Sequence, residues 1–259
     1  MSDKTPQSVG DFTTTELKHK LGQTGDKVIL WPVGSTEPHG PHLPLATDTI
    51  LAEENAKRAA AKLNQAGYDT LVAPALPYGV TDFAAGFAGA ISIPFDALVD
   101  FLEAGVYGYL DNGFDHVCLI NHHLEPGQLK ALAAVVERVK MSRGPRAISQ
   151  PQVISRRWGK QLGEEFRSGA CHAGAYEGSL VLAARPDLFR TDAAQSLPTV
   201  PISLSSAIQA GKTTFLEAGA DAAYTGSPSH ATVDEGERLY DVLTTMVMTE
   251  VIEHLEAQQ

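Results

Sequence analysis

The fold is decided by residues 28–48, VILWPVGSTEPHGPHLPLATD, in which an apolar run gives way to a polar loop. The run Val28–Val33 is short, almost continuously apolar and followed by Gly34, which is the pattern of a strand buried on both faces of a sheet. Asp48 then begins an amphipathic stretch that ends at Gly67, and Asp at the start with Gly at the end is typical of a helix. These residues therefore predict a strand, a polar loop and a helix, in that order.

The same alternation continues along the chain. Further strands are predicted at 70–74, 116–120 and 146–154, and further helices at 95–113, 126–140, 173–184 and 232–255. Strands and helices that alternate at this spacing indicate βαβ units, and hence a mostly parallel sheet covered on both faces. Residues 186–225 are rich in Ser, Thr, Ala and Pro without periodicity, which predicts irregular surface structure. We interpret the chain as one α/β domain over residues 1–259, in which residues 1–26 form an N-terminal extension with the first helix.

The composition excludes several classes of function. The chain has 259 residues and a formal net charge of −11, so we expect no nucleic-acid partner and no membrane partner, because both require clustered Lys and Arg. Cys118 and Cys171 are too few for a disulfide framework and lack CxxC spacing, so both are expected to be packing residues. No stretch approaches the roughly 18 apolar residues that span a bilayer, and Met1–Asp11 carries no apolar signal segment. These features predict a soluble, cytoplasmic protein.

Two loops that follow predicted strands combine carboxylates with histidines. Glu37 and His39 are two residues apart after the first strand, and His123 and Glu125 are two residues apart after a later one. Because residues two apart project to the same side of an extended backbone, each pair offers one oxygen and one nitrogen to a common centre. Asp48 adds a carboxylate that can bridge. Open parallel sheets bind ligands at the carboxyl ends of their strands, so these side chains are expected to meet there.

This set of side chains predicts two divalent metal ions rather than one. Imidazole and carboxylate ligands together suit zinc, manganese or iron. Three carboxylates overcharge a single divalent ion, whereas two ions and one bridging hydroxide bring the site to neutrality. Such a hydroxide is the nucleophile of a two-metal hydrolase, because bound metal lowers the pKa of water toward about 7. A single Glu-x-His pair is more often a surface feature, but two pairs joined by Asp48 favour a metal site.

The residues of these loops resemble the signature of the creatininase (creatinine amidohydrolase) family. The resemblance is carried by residues 32–48 and continues, in family order, through 121–125, 172–174, 177–179 and 226–236. It implies a three-layer α/β/α sandwich with a mostly parallel central sheet. It also implies a binuclear metal centre, often zinc with manganese, in a homo-oligomer that is commonly a hexamer.

The resemblance assigns metal ligands position by position. It implies that Glu37, Asp48 and His123 hold one ion. It implies that His39, Asp48 and Glu125 hold the other, with Asp48 bridging the two. This is the same set of residues that spacing and charge indicate.

The resemblance also implies three catalytic residues. His172 matches the family histidine that shuttles a proton to the leaving nitrogen, a step that is needed because an unprotonated amine leaves poorly. Glu177 matches the carboxylate nearby, and Glu125 is counted as catalytic as well as metal-binding. Two further residues stay open: His42 either makes a hydrogen bond behind the ligands or caps the loop, and Trp158 either lines a pocket or belongs to the core.

Some positions depart from the family pattern. His122 stands where the family usually has Gly, and His123 is favoured as the ligand because it alone is two residues from Glu125. Members that hydrolyse creatinine have an aromatic residue where this chain has Leu124, and a tryptophan shortly before the His-Ala-Gly block where this chain has residues 167–171. Many members with other substrates have Gly where Glu125 stands. Glu125 therefore favours a binuclear centre, while the missing aromatic residues count against creatinine itself.

From these residues we predict a metal-dependent amidohydrolase that opens a small cyclic amide, a creatinine-like lactam, by means of a metal-bridging hydroxide. One alternative is removal of a formyl group or cleavage of a short peptide in cofactor biosynthesis. A nucleotide-like substrate would then need positive charge near the metals, for which Arg156, Arg157 and Arg167 are the nearest candidates. The other alternative is a non-catalytic metal- or ligand-binding protein.

Overall fold

The computed structural model describes residues 8–256, and its central sheet is parallel throughout. Within these residues four strands pair in the order β2-β1-β3-β4. The strands are β1 Lys27–Val33, β2 Asp69–Val72, β3 His116–Asn121 and β4 Ile148–Ser149. Because β1 pairs with β2 on one side and with β3 on the other, it lies in the interior of the sheet.

Helices connect the strands and cover the sheet. They are α1 Thr14–Leu21, α2 Thr47–Gln65, α3 Phe95–Asp111, α4 Pro126–Arg143, α5 Glu164–Ser168, α6 Ala175–Ala184, α7 Thr191–Ser196, α8 Leu204–Gln209, α9 Phe215–Ala218 and α10 Val233–Glu256. Short 3-10 turns lie at Val9–Asp11, Asp82–Ala84, Pro145–Ala147, Gly159–Gln161, Pro186–Leu188 and Pro228–His230. Between residues 8 and 256, none of the helices combines the length and the apolar character that a bilayer crossing requires.

Side chains of β1 alternate between two hydrophobic cores. Val28 and Leu30 pack with residues of α2, α6 and α10 on one face of the sheet. Ile29 and Val33 pack with residues of α3 and α4 on the other face. Every residue of β1 is buried, as expected for a parallel strand covered on both sides. The three layers confirm the predicted α/β/α fold.

The end of β1 lies so close to α2 that only glycine fits there. A Cβ atom on Gly34 would lie 2.5 Å from Oγ1 of Thr49 and 2.7 Å from its Cα. Thr49 is the neighbour of Asp48 in the first turn of α2. The close approach therefore holds the loop after β1 against the start of the helix that carries Asp48.

The strand order places a crevice at the carboxyl end of the sheet. From β1 the chain passes through α2 to β2 on one side, whereas β3 lies on the other side of β1. Because the connections leave in opposite directions, a crevice opens between β1 and β3, and ligands bind at such crevices in open α/β sheets. The loops after β1 and β3 both end at this crevice.

Two sequence predictions about secondary structure are wrong. The strand predicted at 146–154 covers only Ile148–Ser149, because residues 145–147 form a 3-10 turn and pairing with β3 stops before Pro151, whose nitrogen has no hydrogen to donate. The range 186–225, predicted as irregular, contains α7, α8 and α9. The side chains of Ser203 and Thr214 cap α8 and α9, which stabilises short helices.

The predicted N-terminal extension is only partly described. Residues 1–7 lie outside the described residues, as do 257–259. The predicted first helix is α1, whose N-terminus is a capping box: the Glu16 carboxylate accepts the backbone N–H of Thr13, and the Thr13 hydroxyl accepts that of Glu16. The assignment of residues 1–259 to a single domain stays a prediction.

Candidate metal centre

Buried carboxylates and imidazoles converge where the loops after β1 and β3 meet. Potential ligand atoms lie within 4.8 Å of one another in three buried groups, which are Glu37–Asp48–His123, His39–Asp48–Glu177 and Glu37–His39–His172. Asp48 belongs to the first two groups, so its carboxylate is placed to bridge them. We call these first two the ligand groups.

In the first ligand group, the ring of His123 is oriented by a backbone carbonyl. Nε2 of His123 donates a hydrogen bond to the Val80 carbonyl oxygen at 2.7 Å. Nδ1 lies 3.1 Å from Oε1 of Glu37 and 3.1 Å from Oδ2 of Asp48. With its proton on Nε2, the neutral ring directs the Nδ1 lone pair at the two carboxylates, which is the tautomer that a metal ligand needs.

The second ligand group has the same design. Nδ1 of His39 donates to the Glu37 carbonyl oxygen at 3.1 Å, while Nε2 lies 3.4 Å from Oδ1 of Asp48 and 3.6 Å from Oε2 of Glu177. Within the described residues, Nε2 of His39 and Oδ2 of Asp48 are buried without a hydrogen-bond partner. Since unpartnered buried polar atoms are costly, a metal ion fits here as the missing partner.

The electrostatics of the ligand groups favour positive charge. Burial lowers the pKa of His39, but the carboxylates of Asp48, Glu177 and Glu37 outweigh burial and raise it to about 10. The pKa of His123 is raised well above its ordinary value, because Glu37 and Asp48 outweigh the effect of burial. Burial raises the pKa of Glu177 to about 8 against the charge of His39. The buried carboxylates of Glu37, Asp48 and Glu177 therefore favour cations at this point, and two divalent metal ions would balance their charge.

A strained turn places Glu177 beside the second ligand group. Ala173 has φ +51°, a left-handed conformation that is unusual for a residue other than glycine. Its backbone N–H donates to Oε2 of Glu177 at 2.6 Å, and Glu177 lies in the first turn of α6. Such strain persists where surrounding structure imposes it, commonly at functional sites. The turn brings His172 and Glu177 to the same centre.

Glu125, predicted as a ligand of the second metal, lies outside both ligand groups. Its carboxylate accepts the backbone N–H groups of Asp82 at 3.0 Å and Phe83 at 3.2 Å. Oε2 of Glu125 also lies 3.8 Å from Nε2 of His123, the ring nitrogen that faces away from the ligand groups. Burial raises the pKa of this carboxyl to about 7. In the group of His39 and Asp48, the third side chain is that of Glu177.

His172 lies in the wall of the site, between two rings. Its imidazole stacks on the ring of Phe215, with centroids 4.3 Å apart and planes 25° apart, and its centroid is 4.4 Å from that of His39. Nε2 donates to the Pro38 carbonyl oxygen at 3.0 Å, and Nδ1 lies 3.8 Å from Oε1 of Glu37. Burial, together with the charge of His39, lowers the pKa of His172 to about 4.

A cavity of about 270 Å³ opens above the ligand groups. Glu125 and His172 line it beside the ligands, and its walls are otherwise largely apolar, with the side chains of Phe83, Leu124, Leu129, Ile154, Leu204, Ile208 and Phe215. Among residues 8–256, no Lys or Arg lines this cavity. Leu204, Ile208 and Phe215 were missed by the sequence prediction. The four-residue spacing of Leu204 and Ile208 was the available signal of a helix with one apolar face.

The two cysteines differ in their surroundings. Cys118 is fully buried in the core, as the prediction of a packing residue requires. Cys171 is free and lines the cavity next to His172. Burial raises the pKa of each thiol to about 12, so neither is a ready thiolate ligand.

Of the adjacent pair His122 and His123, the structure directs only the second toward the carboxylates. His122 is buried, and its Nε2 lies 3.1 Å from Nδ2 of Asn55 on α2. His123 is held in place by its neighbours, since Nδ2 of Asn121 donates to its carbonyl oxygen at 2.7 Å. The preference for His123 over His122 is thus consistent with the geometry.

Two residues left open by the sequence belong to neither ligand group. The ring of His42 packs edge-on against Phe189 and Tyr224, with centroids 6.0 and 6.1 Å away. Trp158 is buried, and its Nε1 donates to Oε1 of Glu250 at 2.6 Å. Both side chains therefore belong to the packed frame of the molecule.

Comparisons with known proteins found related sequences and structures. The family model described as creatininase, creatinine amidohydrolase, matches residues 10–251. The chain is 31% identical over 238 residues to a mycofactocin precursor peptide peptidase of Mycolicibacterium smegmatis, covering 91% of this chain and 86% of the relative. It is 26% identical over 202 residues to a creatinine amidohydrolase of Pseudomonas putida, covering 71% and 74%. A solved structure described as "Creatininase Mn" superposes with a TM-score of 0.69 at 20% identity, covering 97% and 99%.

Proposed function

The chain belongs to the creatininase family, and on that premise we propose that it is a hydrolase of amide C–N bonds with two divalent metal ions. The observation that carries this proposal is the pair of buried ligand groups that share Asp48. Glu37, Asp48 and His123 would hold one ion. His39, Asp48 and Glu177 would hold the other. Zinc and manganese suit this mixture of imidazole and carboxylate ligands.

Two divalent ions, when bound, polarise an amide carbonyl and lower the pKa of water. The remaining steps fall to side chains of the cavity. Glu125, held by two backbone N–H groups, is placed to accept a proton from the attacking water. His172 is fixed through Nε2 by the Pro38 carbonyl, which leaves Nδ1 to take up a proton and pass it to the leaving nitrogen. The apolar walls exclude bulk water from these transfers.

For the substrate we propose a linear amide, either a peptide bond or a formamide. The identity to the mycofactocin precursor peptide peptidase over most of both chains supports it. The residues of this chain support it too, because Leu124 and residues 167–171 carry no aromatic ring where a creatinine site has one. Leu124 instead adds to an aliphatic wall.

A small cyclic amide is the second candidate, and one feature of the cavity favours it. The rings of Phe83 and Phe215 line the cavity and meet edge to face, with centroids 5.1 Å apart. This pair offers an aromatic wall from other parts of the chain, against which a flat ring would pack. The similarity to the creatinine amidohydrolase of Pseudomonas putida supports this candidate.

The test is a reconstitution assay. Protein stripped with a chelator is reloaded with zinc or with manganese and assayed on formylated amines, short peptides, lactams and hydantoins. We expect hydrolysis of one class that chelation removes and metal restores. Stoichiometric metal binding without hydrolysis of any class would instead support the non-catalytic alternative. Hydrolysis that persists in metal-free protein would contradict the metal-dependent mechanism.

A further inference from the structure

A second cavity adjoins the cavity above the ligand groups. It measures about 350 Å³, and both cavities are lined by Ile154, Cys171 and Ser205. Three cations line only the second cavity, and we call them the basic subsite: Arg156, Lys160 and Arg167. The two cavities thus share a boundary, with carboxylates and imidazoles on one side of it and positive charge on the other.

The arginines of the basic subsite differ from the other arginines of the molecule. Among residues 8–256, seven arginines form an ion pair with a carboxylate, and Arg190 donates to the Leu188 carbonyl oxygen. In the same range, the side chains of Arg156 and Arg167 have neither an ion pair nor a hydrogen bond, and Lys160 likewise has none. Because the chain has a net charge of −11, carboxylates are plentiful, yet none neutralises this group.

The carboxylate closest in sequence is engaged elsewhere. Glu165, two residues before Arg167, accepts the backbone N–H of Tyr176 at 2.8 Å and that of Ser227 at 2.7 Å. These bonds tie its carboxylate to the start of α6 and to the loop before α10. Glu165 therefore stabilises the loops around the site and forms no ion pair with Arg167.

We propose that the basic subsite binds an anionic group, a carboxylate or a phosphate, of the amide whose C–N bond is placed at the ligand groups. This assignment rests on the proposed function, since it takes the ligand groups as the place of hydrolysis. The cavity above the ligand groups offers a distant anion no partner, because its walls are largely apolar and, among residues 8–256, no Lys or Arg lines it. Guanidinium groups bind carboxylate and phosphate through paired hydrogen bonds, so a substrate that spans the boundary places its charge on Arg156 and Arg167.

The test uses probes that bind the metal ions through a chelating group at one end. Monohydroxamates of the linear dicarboxylic acids, from succinate to suberate, present a chelating group and a distant carboxylate, and their methyl esters are the neutral controls. Binding to metal-loaded protein is measured by calorimetry. At the best chain length we expect the acid to bind about tenfold tighter than its ester, as for a charge-assisted pair. Hydroxamates that end in a phosphonate show which of the two anions the subsite prefers.

Neighbouring arginines supply a matched control. Arg156→Gln and Arg167→Gln should remove the preference for the acid while leaving binding of the ester unchanged. Arg157→Gln should keep the preference, because Arg157 pairs with Glu253 and lies over the ring of Trp158, outside the cavity. Equal binding of acid and ester by the native chain at every length would overturn the subsite. So would a preference that survives in R156Q/R167Q.

Failure of the metal centre remains distinguishable from failure of the subsite. Protein that holds no metal and binds no hydroxamate contradicts the proposed function, and the subsite is then tested alone by labelling with phenylglyoxal. Mass spectrometry should find Arg156 and Arg167 labelled, and both protected by added suberate or phenyl phosphate. Labelling that neither anion slows would overturn the subsite.

Discussion

Both ends of strand β3 carry a buried histidine, and the two rings have opposite surroundings. At the amino end, Nδ1 of His116 donates to the Arg146 carbonyl oxygen, and Nε2 accepts the Ser149 hydroxyl at 2.7 Å. Beyond the carboxyl end, His123 faces two carboxylates at 3.1 Å. Burial lowers the pKa of His116 to about 4, whereas the carboxylates raise the pKa of His123 well above its ordinary value.

The difference shows what turns a buried histidine into a candidate ligand. Burial is common to both residues, so burial alone predicts nothing about chemistry. The His116 ring has every polar atom paired with a neutral group, and it serves the packing of β3 against β4. The His123 ring has one nitrogen paired with the Val80 carbonyl and the other directed at negative charge. Unbalanced charge at the carboxyl end of the sheet is therefore the functional signal.

The largest effect is expected from removing the carboxylate of Asp48, which both ligand groups share at the carboxyl end of the sheet. Asp48→Asn takes one carboxylate from both ligand groups, so metal content should fall below one ion per chain. Turnover should fall by more than about 100-fold, since even residues behind the ligands cost 10–100-fold. Elemental analysis and the amide assay measure both. Asp82→Asn, which alters an exposed carboxylate nearby, is the control; loss of metal in that variant as well would contradict a site centred on Asp48.

Exchanging each of these two histidines for glutamine tests the comparison directly. His123→Gln should weaken metal binding by about 100-fold, because a ligand is lost. His116→Gln should leave metal affinity unchanged and should lower the free energy of unfolding by about 1–3 kcal/mol, because buried partners lose their hydrogen bonds. Metal titration and urea denaturation give the two readouts. Equal losses of metal affinity in both variants would contradict the distinction.

The His116 ring should also make stability depend on pH. Its folded-state pKa, about 4, lies below the ordinary histidine value of about 6.5. Between these two pH values the unfolded chain therefore binds more protons than the folded chain. The stabilisation is therefore complete above pH 6.5 and is lost as the pH falls toward 4. Between pH 7 and pH 5, the free energy of unfolding of the native chain should fall by about 2 kcal/mol more than that of the His116→Gln variant. Urea denaturation of both chains at the two pH values measures this, and parallel losses would show that His116 is not buried as a neutral ring.

The smallest effect is expected at the ring that stacks on His172. Phe215→Leu keeps an apolar side chain but removes the stacking on His172. Loss of such an aromatic contact weakens binding by about threefold to tenfold. We expect KM to rise by that factor while metal content stays at the native level. Steady-state kinetics with elemental analysis checks this. A loss of metal would place Phe215 among the supports of the ligand groups instead.

Much of the carboxyl end of the sheet could be predicted from sequence. Glu37, His39 and His123 follow strands at the switch point, and Asp48 lies in the first turn of α2, so local spacing and parallel topology suffice to bring them together. The alternating apolar pattern of β1 likewise predicts two buried faces.

The roles of Glu125 and Glu177 could not be separated in this way. Glu125 has the right spacing from His123, but the backbone N–H groups of Asp82 and Phe83, distant in sequence, bind its carboxylate. Glu177 joins the second ligand group through the left-handed turn at Ala173. An alanine in the sequence does not predict a left-handed conformation. In both cases the tertiary backbone decides where a carboxylate lies.

The most direct test is the metal content of Glu177→Gln and Glu125→Gln, measured by elemental analysis after identical loading. If Glu177 completes the second ligand group, its variant should hold about one ion per chain, while Glu125→Gln holds two like the native protein and loses turnover only. The reverse result, two ions in Glu177→Gln and one in Glu125→Gln, would contradict the proposed site.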